Sequence, residues 1–268
     1  ARKEKLDSLS LAGVYDFLKK TSVALKTNDK IITAATDAMI IECTQNYFSS
    51  VGADFHQEFD IVVNSMSATA QHGSETQTRS LHGGRGNCLQ AGAEYFSLDS
   101  ALRDCESISK EALELLTAEN CPSETCDLIL APDQMLLQIH ESIGHPLELD
   151  RILGDERNFA GWSFVQPNDF GSLVYGSTKM NVVFDPTVAG EIASYLFDEV
   201  GNPAEKKYLI KDGVLQAGLG SLESQSRSKI SGVANSRASS WNRAPIDRMA
   251  NINLEGGDLS LDEMLKME

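Results

Sequence analysis

Apolar residues near the start of the chain recur at helical spacing. From Leu9 to Leu25 they predict an amphipathic helix packed on a sheet, with Ser10 as its cap. The inner side of this helix is predicted to carry Leu11, Val14, Tyr15, Leu18, Val23 and Leu25. A second helix is predicted from Ser97 to Ala118, and its inner side would carry Ala101, Leu102, Cys105, Ile108, Ala112, Leu113 and Leu116.

Runs of β-prone residues lie between and after these helices. The first three predicted strands are Ile31–Thr33, Met39–Thr44 and Phe59–Asn64. Turn residues separate the last two of these strands, so we expect the two to form an antiparallel pair. Two further strands are predicted, one at Ala91–Phe96 and a buried one at Cys126–Ala131.

The second half of the chain is predicted to be richer in strands. Met180–Phe184 predicts one strand, and Lys207–Ala217 predicts a hairpin around the turn Asp212-Gly213. The segment Ser221–Ser240 is rich in serine and has little periodicity, so its composition alone is typical of a linker. The predicted fold class is α+β, with an N-terminal sheet-and-helix portion at 1–119 and a strand-rich portion at 120–268.

Composition and charge exclude some classes of function. The chain has 268 residues, 41% hydrophobic and 23% charged, which is ordinary for a soluble globular protein. Its net charge of −16 argues against a nucleic-acid partner, which would need a basic surface. No apolar run is long enough to cross a bilayer and no signal peptide is recognisable, so we expect a cytoplasmic protein with no membrane partner. The five cysteines are expected to be reduced thiols.

The segment Gln71–Asn87 is polar and rich in glycine, and it ends in Gly83–Gly86. It lacks the G-x-x-x-x-G-K pattern of a phosphate-binding loop, and no clear helix follows it. We therefore expect a mobile surface loop, in which His72 and His82 are exposed and bind no metal.

The stretch from Gln138 to Glu148 has the strongest chemical pattern in the chain. His140, Glu141 and His145 lie on a predicted helix, for which Asp133 is the predicted N-cap. Neutral imidazole is a good zinc ligand, and a neighbouring carboxylate can take a proton from water at the metal. The stretch therefore suits metal-assisted hydrolysis.

The spacing H-E-x-x-x-H requires a break in that helix. On a regular helix, residues five apart are separated by about 140°, which is too far for two imidazoles to share one ion. Gly144 can adopt left-handed dihedrals, and Pro146 disfavours a helical conformation at His145. A single π-type turn would also bring the two histidines together. We expect either an end or a widening of the helix here.

The same residues have a simpler interpretation. A histidine near a Gly-Pro stop is often a C-terminal helix cap, and an adjacent glutamate is usually solvated. The bare pattern therefore stays a hypothesis until its context supports it.

Three segments supply that context. His140–Glu148 resembles the H-E-x-x-G-H-x-x-E segment of the TldD/PmbA family of zinc metallopeptidases. Phe197–Ala204, followed by Tyr208–Leu215, is similar to a second block of that family. Asn235-Ser236-Arg237 and Pro245–Asn251 are similar to its Asn-x-Arg and P-x-x-R-M-x-N segments. The order and spacing agree from about Asp127 to Glu268.

The resemblance implies a zinc-dependent metallopeptidase that hydrolyses peptides or unfolded polypeptides. His140 and His145 would bind the metal, and Glu141 would be the catalytic general base. Glu148 would be either a carboxylate that orients a ligand histidine or an ordinary surface glutamate. The family also implies a cysteine as third zinc ligand, outside the residues of this chain. The resemblance further places Ser221–Ser240 near the substrate, as the alternative to a linker.

The resemblance also implies partners and a larger protein. TldD-like proteins pair with a PmbA-like relative that lacks the H-E-x-x-x-H residues, so we expect a homodimer or such a heterodimer. Because this chain retains all three residues, the catalytic partner is favoured, and a non-catalytic regulatory subunit is the alternative. Family members are longer at both ends, so the chain is expected to be a fragment lacking both.

Overall fold

The computed structural model of the chain describes residues 4–82 and 87–267. Helices and antiparallel sheets form an α+β fold, as predicted. The chain divides into two compact units, the first made of residues 1–44 and 58–128 and the second of residues 45–57 and 129–268. The predicted division between 119 and 120 stays a prediction.

The first unit contains two helices and most of a sheet. Its helices are α1 (Leu11–Leu25) and α2 (Leu98–Leu115), with short 3-10 turns at Leu6–Ser8 and Ala93–Tyr95. The strands are β1 (Ile31–Phe48), β2 (Asp54–His72), β3 (Glu75–Ser80) and β4 (Asn87–Gln90). The strands pair in the order β1-β2-β3, and β4 also pairs with β2.

The two helices pack with the inner face of β2. Ser10 caps α1, since its side chain accepts a hydrogen bond of 3.0 Å from the Gly13 backbone N–H, as predicted. The predicted inner face of α1 is confirmed only in part, because Leu25 is buried and Leu18 packs against the core, whereas Leu11 is 88% exposed. The buried residues of the helix are Phe17, Thr21 and Leu25. On α2 the prediction is closer, and the buried residues are Ala101, Cys105, Ile108, Ser109 and Ala112.

The second unit contains two further sheets and the segment with the two histidines. Its longer sheet has the order β10-β5-β6-β7, and its shorter one pairs β8 with β9. The strands are β5 (Val182–Phe184), β6 (Lys207–Lys211), β7 (Val214–Leu215), β8 (Ser236–Arg237), β9 (Ile246–Asp247) and β10 (Ile252–Leu254). The helices are α3 (Pro132–Ile139), α4 (Leu149–Leu153), α5 (Arg157–Ala160), α6 (Leu222–Ser228) and α7 (Leu261–Met264).

The longer sheet of the second unit provides most of its core. The fully buried side chains here include Leu147, Phe184, Leu209, Ile210, Leu215 and Leu219. The predicted hairpin is confirmed, because β6 and β7 pair around Asp212 and Gly213, whose φ angles are 49° and 78°. Two positive φ angles suit the Asp-Gly pair, since both residue types tolerate the left-handed region.

Three predictions of local structure are wrong. Cys126–Ala131 is not a strand, because none of the strands in the described residues pairs with it, and Leu128 is 77% exposed. Ala91–Phe96 contains a 3-10 turn in place of a strand. Much of the predicted loop Gln71–Asn87 belongs to the paired strands β2 and β3, while its Gly83–Gly86 end lies outside the described residues.

The remaining predictions of local structure have different outcomes. Ile31–Thr33 and Met39–Thr44 form parts of one strand, β1, which turns back to β2 through Ser49–Ala53. Ser221–Ser240 contains α6 and β8 with four buried polar residues, so it is not a linker. All five cysteines are free thiols. Among the described residues, no helix combines the length and apolar character needed to cross a membrane.

Candidate metal centre

The segment that carries the histidines is a helix with a widened end. Helix α3 begins at Pro132 with Ala131 as N-cap, so the predicted cap, Asp133, lies instead in the first turn. A π turn follows at His140–Gly144, and a 3-10 turn at His145–Leu147 completes the segment. The predicted widening of the helix is therefore confirmed.

The π turn brings the two imidazoles together. The backbone N–H of His145 bonds to the carbonyl of His140, which is the five-residue spacing of a π-helix. The ring centroids of His140 and His145 lie 4.5 Å apart, with the planes at 89°. The expected left-handed Gly144 is wrong, since its φ is −55°, and His145 keeps helical dihedrals of −59° and −42° despite Pro146.

Gly144 has a different role from the predicted one. Its Cα faces the Met249 side chain so closely that an added Cβ would overlap the Met249 sulfur. Glycine therefore permits a close approach between the π turn and the segment that leads into β10, and a larger residue would force the Met249 side chain to move. Met249 also belongs to the core that packs against Ile143.

His140, Glu141 and His145 form a group with metal-ligand spacing. Each offers one ligand atom, and these atoms all lie within 4.8 Å of one another. His140 and Glu141 are exposed, whereas the His145 side chain is 23% exposed. Two imidazoles with a carboxylate suit zinc or a similar divalent ion. Among the described residues, no cysteine belongs to this group.

Glu148 contacts both His145 and Arg151. Its side chain is 2% exposed, and its Oε2 lies 2.9 Å from Nδ1 of His145 and 2.9 Å from Nη2 of Arg151. Nδ1 of His145 also lies 3.0 Å from Nη2 of Arg151. A carboxylate only accepts and a guanidinium only donates, so Nδ1 carries the proton when it bonds to Glu148 and accepts one when it bonds to Arg151. In the tautomer that bonds to Glu148, the lone pair of His145 is on Nε2, the atom that would then bind a metal. The residues present therefore fit a metal ion.

Backbone bonds hold Glu148 in place. The Leu149 N–H donates to the carbonyl of Leu219 at 2.9 Å, and the Leu219 N–H donates to the carbonyl of Leu147 at 2.6 Å. Oε1 of Glu148 is buried and has no hydrogen-bond partner among the described residues. The Glu148 side chain is therefore not a solvated surface group, which was one of the two interpretations of the sequence.

An apolar cavity of about 440 Å³ lies beside His140. Met135, Leu136 and Ile139 of α3 line one part of it, and Met249 and Ile252 line another. Its walls expose more apolar than polar surface, and His140 contributes an imidazole to its rim. The cavity has the character of a site for an apolar side chain.

Other polar residues of the second unit hold the backbone around the site. Asp198 is 2% exposed and accepts from the backbone N–H groups of Val200, Asn202 and Ser236, at 3.1, 2.8 and 3.2 Å. Tyr175 donates to the Ser142 carbonyl in the π turn at 2.5 Å, and burial raises the pKa of Tyr175 to about 12.

Two buried carboxyl groups lie close to the site on α4 and β9. Asp247 accepts from the backbone N–H of Asp150 at 3.1 Å and from that of Ser221 at 2.9 Å. Burial, followed by the charges of Asp247 and Glu148, raises the pKa of Asp150 to about 7. Burial also raises the pKa of Asp247. These carboxyl groups join α4, β9 and α6.

Arg151 and Met249 are parts of the site that were not predicted from the sequence. Arg151 lies three residues after Glu148, a helical spacing that favours an ion pair, so that signal was available. Nothing in the local sequence indicates that Met249 contacts Gly144, because 105 positions separate the two.

A protein-family model matches the second half of the chain. The family model described as the PmbA/TldA metallopeptidase C-terminal domain matches residues 123–268. The chain belongs to this family. Because this is a family of metallopeptidases, membership implies a metal ion at the site described above. The metal-binding and catalytic roles of His140, His145, Glu141 and Glu148 stay predictions.

Curated relatives of this PmbA/TldA-family chain are metalloproteases. One from Methanocaldococcus jannaschii is 33% identical over 168 residues, which covers 63% of the chain and 35% of that relative. Another, from Methanothermobacter thermautotrophicus, is 27% identical over 239 residues, covering 89% of the chain and 49% of the relative. The chain thus spans at most about half the length of these two proteins.

Solved structures share the fold. TldE from Thermococcus kodakarensis superposes with a TM-score of 0.70 at 16% identity, covering 99% of this chain and 57% of that one. A Thermotoga maritima protein described as a candidate modulator of a DNA gyrase gives a TM-score of 0.74 at 17% identity, with 99% and 56% coverage. At these identities the likeness shows the α+β fold alone.

Proposed function

We propose that the chain is the metal-binding part of a zinc-dependent metallopeptidase that hydrolyses peptides or unfolded polypeptides. The observation that carries this proposal is the π turn, which brings His140, Glu141 and His145 within ligand distance of one another. The family assignment and the metalloprotease relatives support the same reaction class.

The described residues would have separate roles in such a reaction. His140 and His145 would hold the ion, and the bond from Nδ1 of His145 to Glu148 would keep His145 in the required tautomer. A bound zinc ion would supply Lewis-acid chemistry, activating water and polarising the peptide carbonyl. Glu141 would take the proton of the attacking water and return it to the leaving amine.

The proposal also concerns the substrate side chain and the third metal ligand. The apolar cavity beside His140 is suited to an apolar side chain next to the scissile bond. A catalytic zinc site has three protein ligands. We propose that the third is a cysteine outside residues 1–268, because the resemblance implies one and the described cluster contains none.

Partner and compartment belong to the proposal too. The structural likeness to TldE supports a heterodimer with a TldE- or PmbA-like relative, with a homodimer as the alternative. The free cysteines suit a reducing compartment, and we propose the cytoplasm.

The test compares the wild-type protein with Glu141→Gln, each assayed with its partner on unstructured peptides and with zinc content measured. Glutamine keeps the size of the side chain but cannot accept the proton, so the rate should fall by roughly a hundredfold to ten-thousandfold while zinc stays bound. Glu223→Gln, which changes an exposed carboxylate on α6, is the control and should keep full activity.

Two results would contradict the proposal. Equal hydrolysis by wild type and Glu141→Gln would remove Glu141 from the mechanism. No zinc-dependent hydrolysis by either protein would favour a non-catalytic regulatory subunit.

A further inference from the structure

A second cavity of the second unit has a different character from the apolar one. Its volume is about 680 Å³, and three arginines, Arg237, Arg243 and Arg248, line it. Glu156 is the one acidic residue among its lining residues. We call this cavity the arginine pocket. Its basic lining contrasts with a chain in which Asp and Glu outnumber Lys and Arg by 39 to 23.

The arginines of the pocket lack the partners that other arginines of the chain have. Arg79, Arg151 and Arg227 each form an ion pair with a carboxylate at 2.6 to 2.9 Å. Arg237, Arg243 and Arg248 have no side-chain hydrogen bond or ion pair within residues 4–82 and 87–267. With so many carboxylates available in the chain, three unpaired guanidinium groups around one cavity indicate a site for an external anion.

The backbone around the pocket is held firmly. Strands β8 and β9 pair with Arg237 opposite Ile246. The Asn235 side-chain amide donates to the Arg248 carbonyl at 2.9 Å, and the Arg248 N–H donates to the Asn235 carbonyl at 3.3 Å. Asn235 and its neighbours therefore fix the backbone positions of Arg237 and Arg248, whose own side chains stabilise no part of the fold by polar contacts.

The electrostatics of the pocket favour an anionic ligand. Arg237 is exposed, but surrounding protein and the positive charge of Arg248 lower its pKa. Two like charges that repel each other in the free protein gain most from a shared counter-ion. A guanidinium group also matches a carboxylate geometrically, since it donates two parallel hydrogen bonds.

The arginine pocket borders the candidate metal centre. Arg248 immediately precedes Met249, which packs against Gly144 inside the π turn. The negative charge of Glu148, the residue that bonds to His145, also acts on Arg237 and raises its pKa. Met249 also lines the apolar cavity beside His140, so neighbouring residues of one chain segment line both cavities.

We propose that the arginine pocket binds a carboxylate of the peptide substrate, with the C-terminal carboxylate as its first source and an acidic side chain as its second. This proposal rests on the proposed function, because it assumes that a peptide occupies the neighbouring site. Together the two cavities would select peptides that combine an apolar residue with a carboxylate a short distance away.

The test measures binding, so it does not depend on hydrolysis. Three fluorescein-labelled peptides of one apolar sequence are titrated with zinc-loaded Glu141→Gln protein, and anisotropy is recorded. The first peptide has a free C-terminus, the second is its amide, and the third is an amide that ends in glutamate. The free acid should bind about tenfold to a hundredfold more tightly than the amide, the usual gain from charge-assisted hydrogen bonds.

Variants then assign the difference to the pocket. Arg237→Gln and Arg248→Gln should bring the acid-to-amide ratio close to one, and Arg243→Gln, in an exposed loop where folding is not at risk, should reduce it. Arg237→Lys keeps the positive charge but loses the two parallel hydrogen-bond donors of the guanidinium group, so it should give an intermediate acid-to-amide ratio. Arg227→Gln, a surface arginine paired with Asp155, is the matched control and should leave the ratio unchanged.

The outcomes separate this proposal from the proposed function. Tight binding of the amide ending in glutamate would identify the side-chain carboxylate as an accepted source. Equal binding of all three peptides, no saturable binding of the acid, or a ratio that survives the arginine variants would overturn the pocket assignment. If the protein binds the acid more tightly than the amide but the wild type hydrolyses no peptide, the arginine pocket is retained and the peptidase function is rejected. If the wild type hydrolyses peptides but binds acid and amide equally, the peptidase function is retained and the pocket assignment is rejected.

Discussion

Replacing Glu148 by glutamine tests the link between the fold and the candidate metal centre. Glutamine preserves the shape of the side chain but removes the charge that Arg151 and His145 share. An amide can also present its NH₂ group to Nδ1 of His145, which would reverse the imidazole tautomer. The substitution therefore acts on stability through Arg151 and on metal affinity through His145.

The structure sets the expected size of both effects. The Glu148 and Arg151 side chains are 2% and 11% exposed, so solvent hardly screens their attraction. Removing one charge of a buried pair leaves the other uncompensated, and we expect a loss of about 3 kcal/mol in the free energy of unfolding. Loss of the carboxylate behind a ligand histidine typically weakens metal binding by roughly tenfold to a hundredfold.

The assay combines urea denaturation with zinc titration against a competing chelator. Glu223→Gln is the control, because Glu223 pairs with Arg227 at 3.1 Å but is 71% exposed. We expect that variant to lose at most about 0.5 kcal/mol and no zinc affinity. If Glu148→Gln matched the control in both measurements, Glu148 would not be the group that orients His145.

Three further substitutions probe the surroundings of the site. Gly144→Ala should reduce stability by about 1 to 3 kcal/mol in thermal unfolding, because its Cβ would overlap Met249; an unchanged Tm would contradict the close approach. Tyr175→Phe removes the bond to the Ser142 carbonyl and should cost about 1 kcal/mol in urea denaturation, with no loss refuting a structural role for that bond. For Asp150, a folded-state pKa of about 7 against an ordinary value of 3.8 means that wild-type stability falls as pH rises from about 4 to 7. Asp150→Asn should therefore gain stability over wild type across that range, reaching about 4 kcal/mol above pH 7, and a gain independent of pH would refute the shifted pKa.

Short-range features of the sequence predicted much of the local structure. Ser10 as a cap and the Asp212-Gly213 turn each depend on residues within a few positions. The widened turn after His140 was predictable for a different reason. Two imidazoles five residues apart can share an ion only if the helix departs from its regular geometry.

Predictions that depended on tertiary contacts were less successful. Helix α1 has apolar residues on more than one side, and the packing with α2 and β2 selects Phe17 and Leu25 over Leu11 and Tyr15. Cys126–Ala131 has the composition of a strand, yet no described strand pairs with it. Periodicity alone gives no information about which apolar face finds a partner.

The motif residues outside the histidine segment fall into two groups that the sequence cannot separate. Asp198, Asn235 and Asn251 are buried and bond to backbone groups, so they build the frame of the second unit. Arg237 and Arg248 come from the same short motifs, but their side chains form no such bonds within the described part of the chain. Frame residues explain how the chain folds here, whereas unpaired charges on a fixed frame need a ligand to explain them. That difference, visible only in three dimensions, is why the arginine pocket rather than the asparagines is the place to look for substrate recognition.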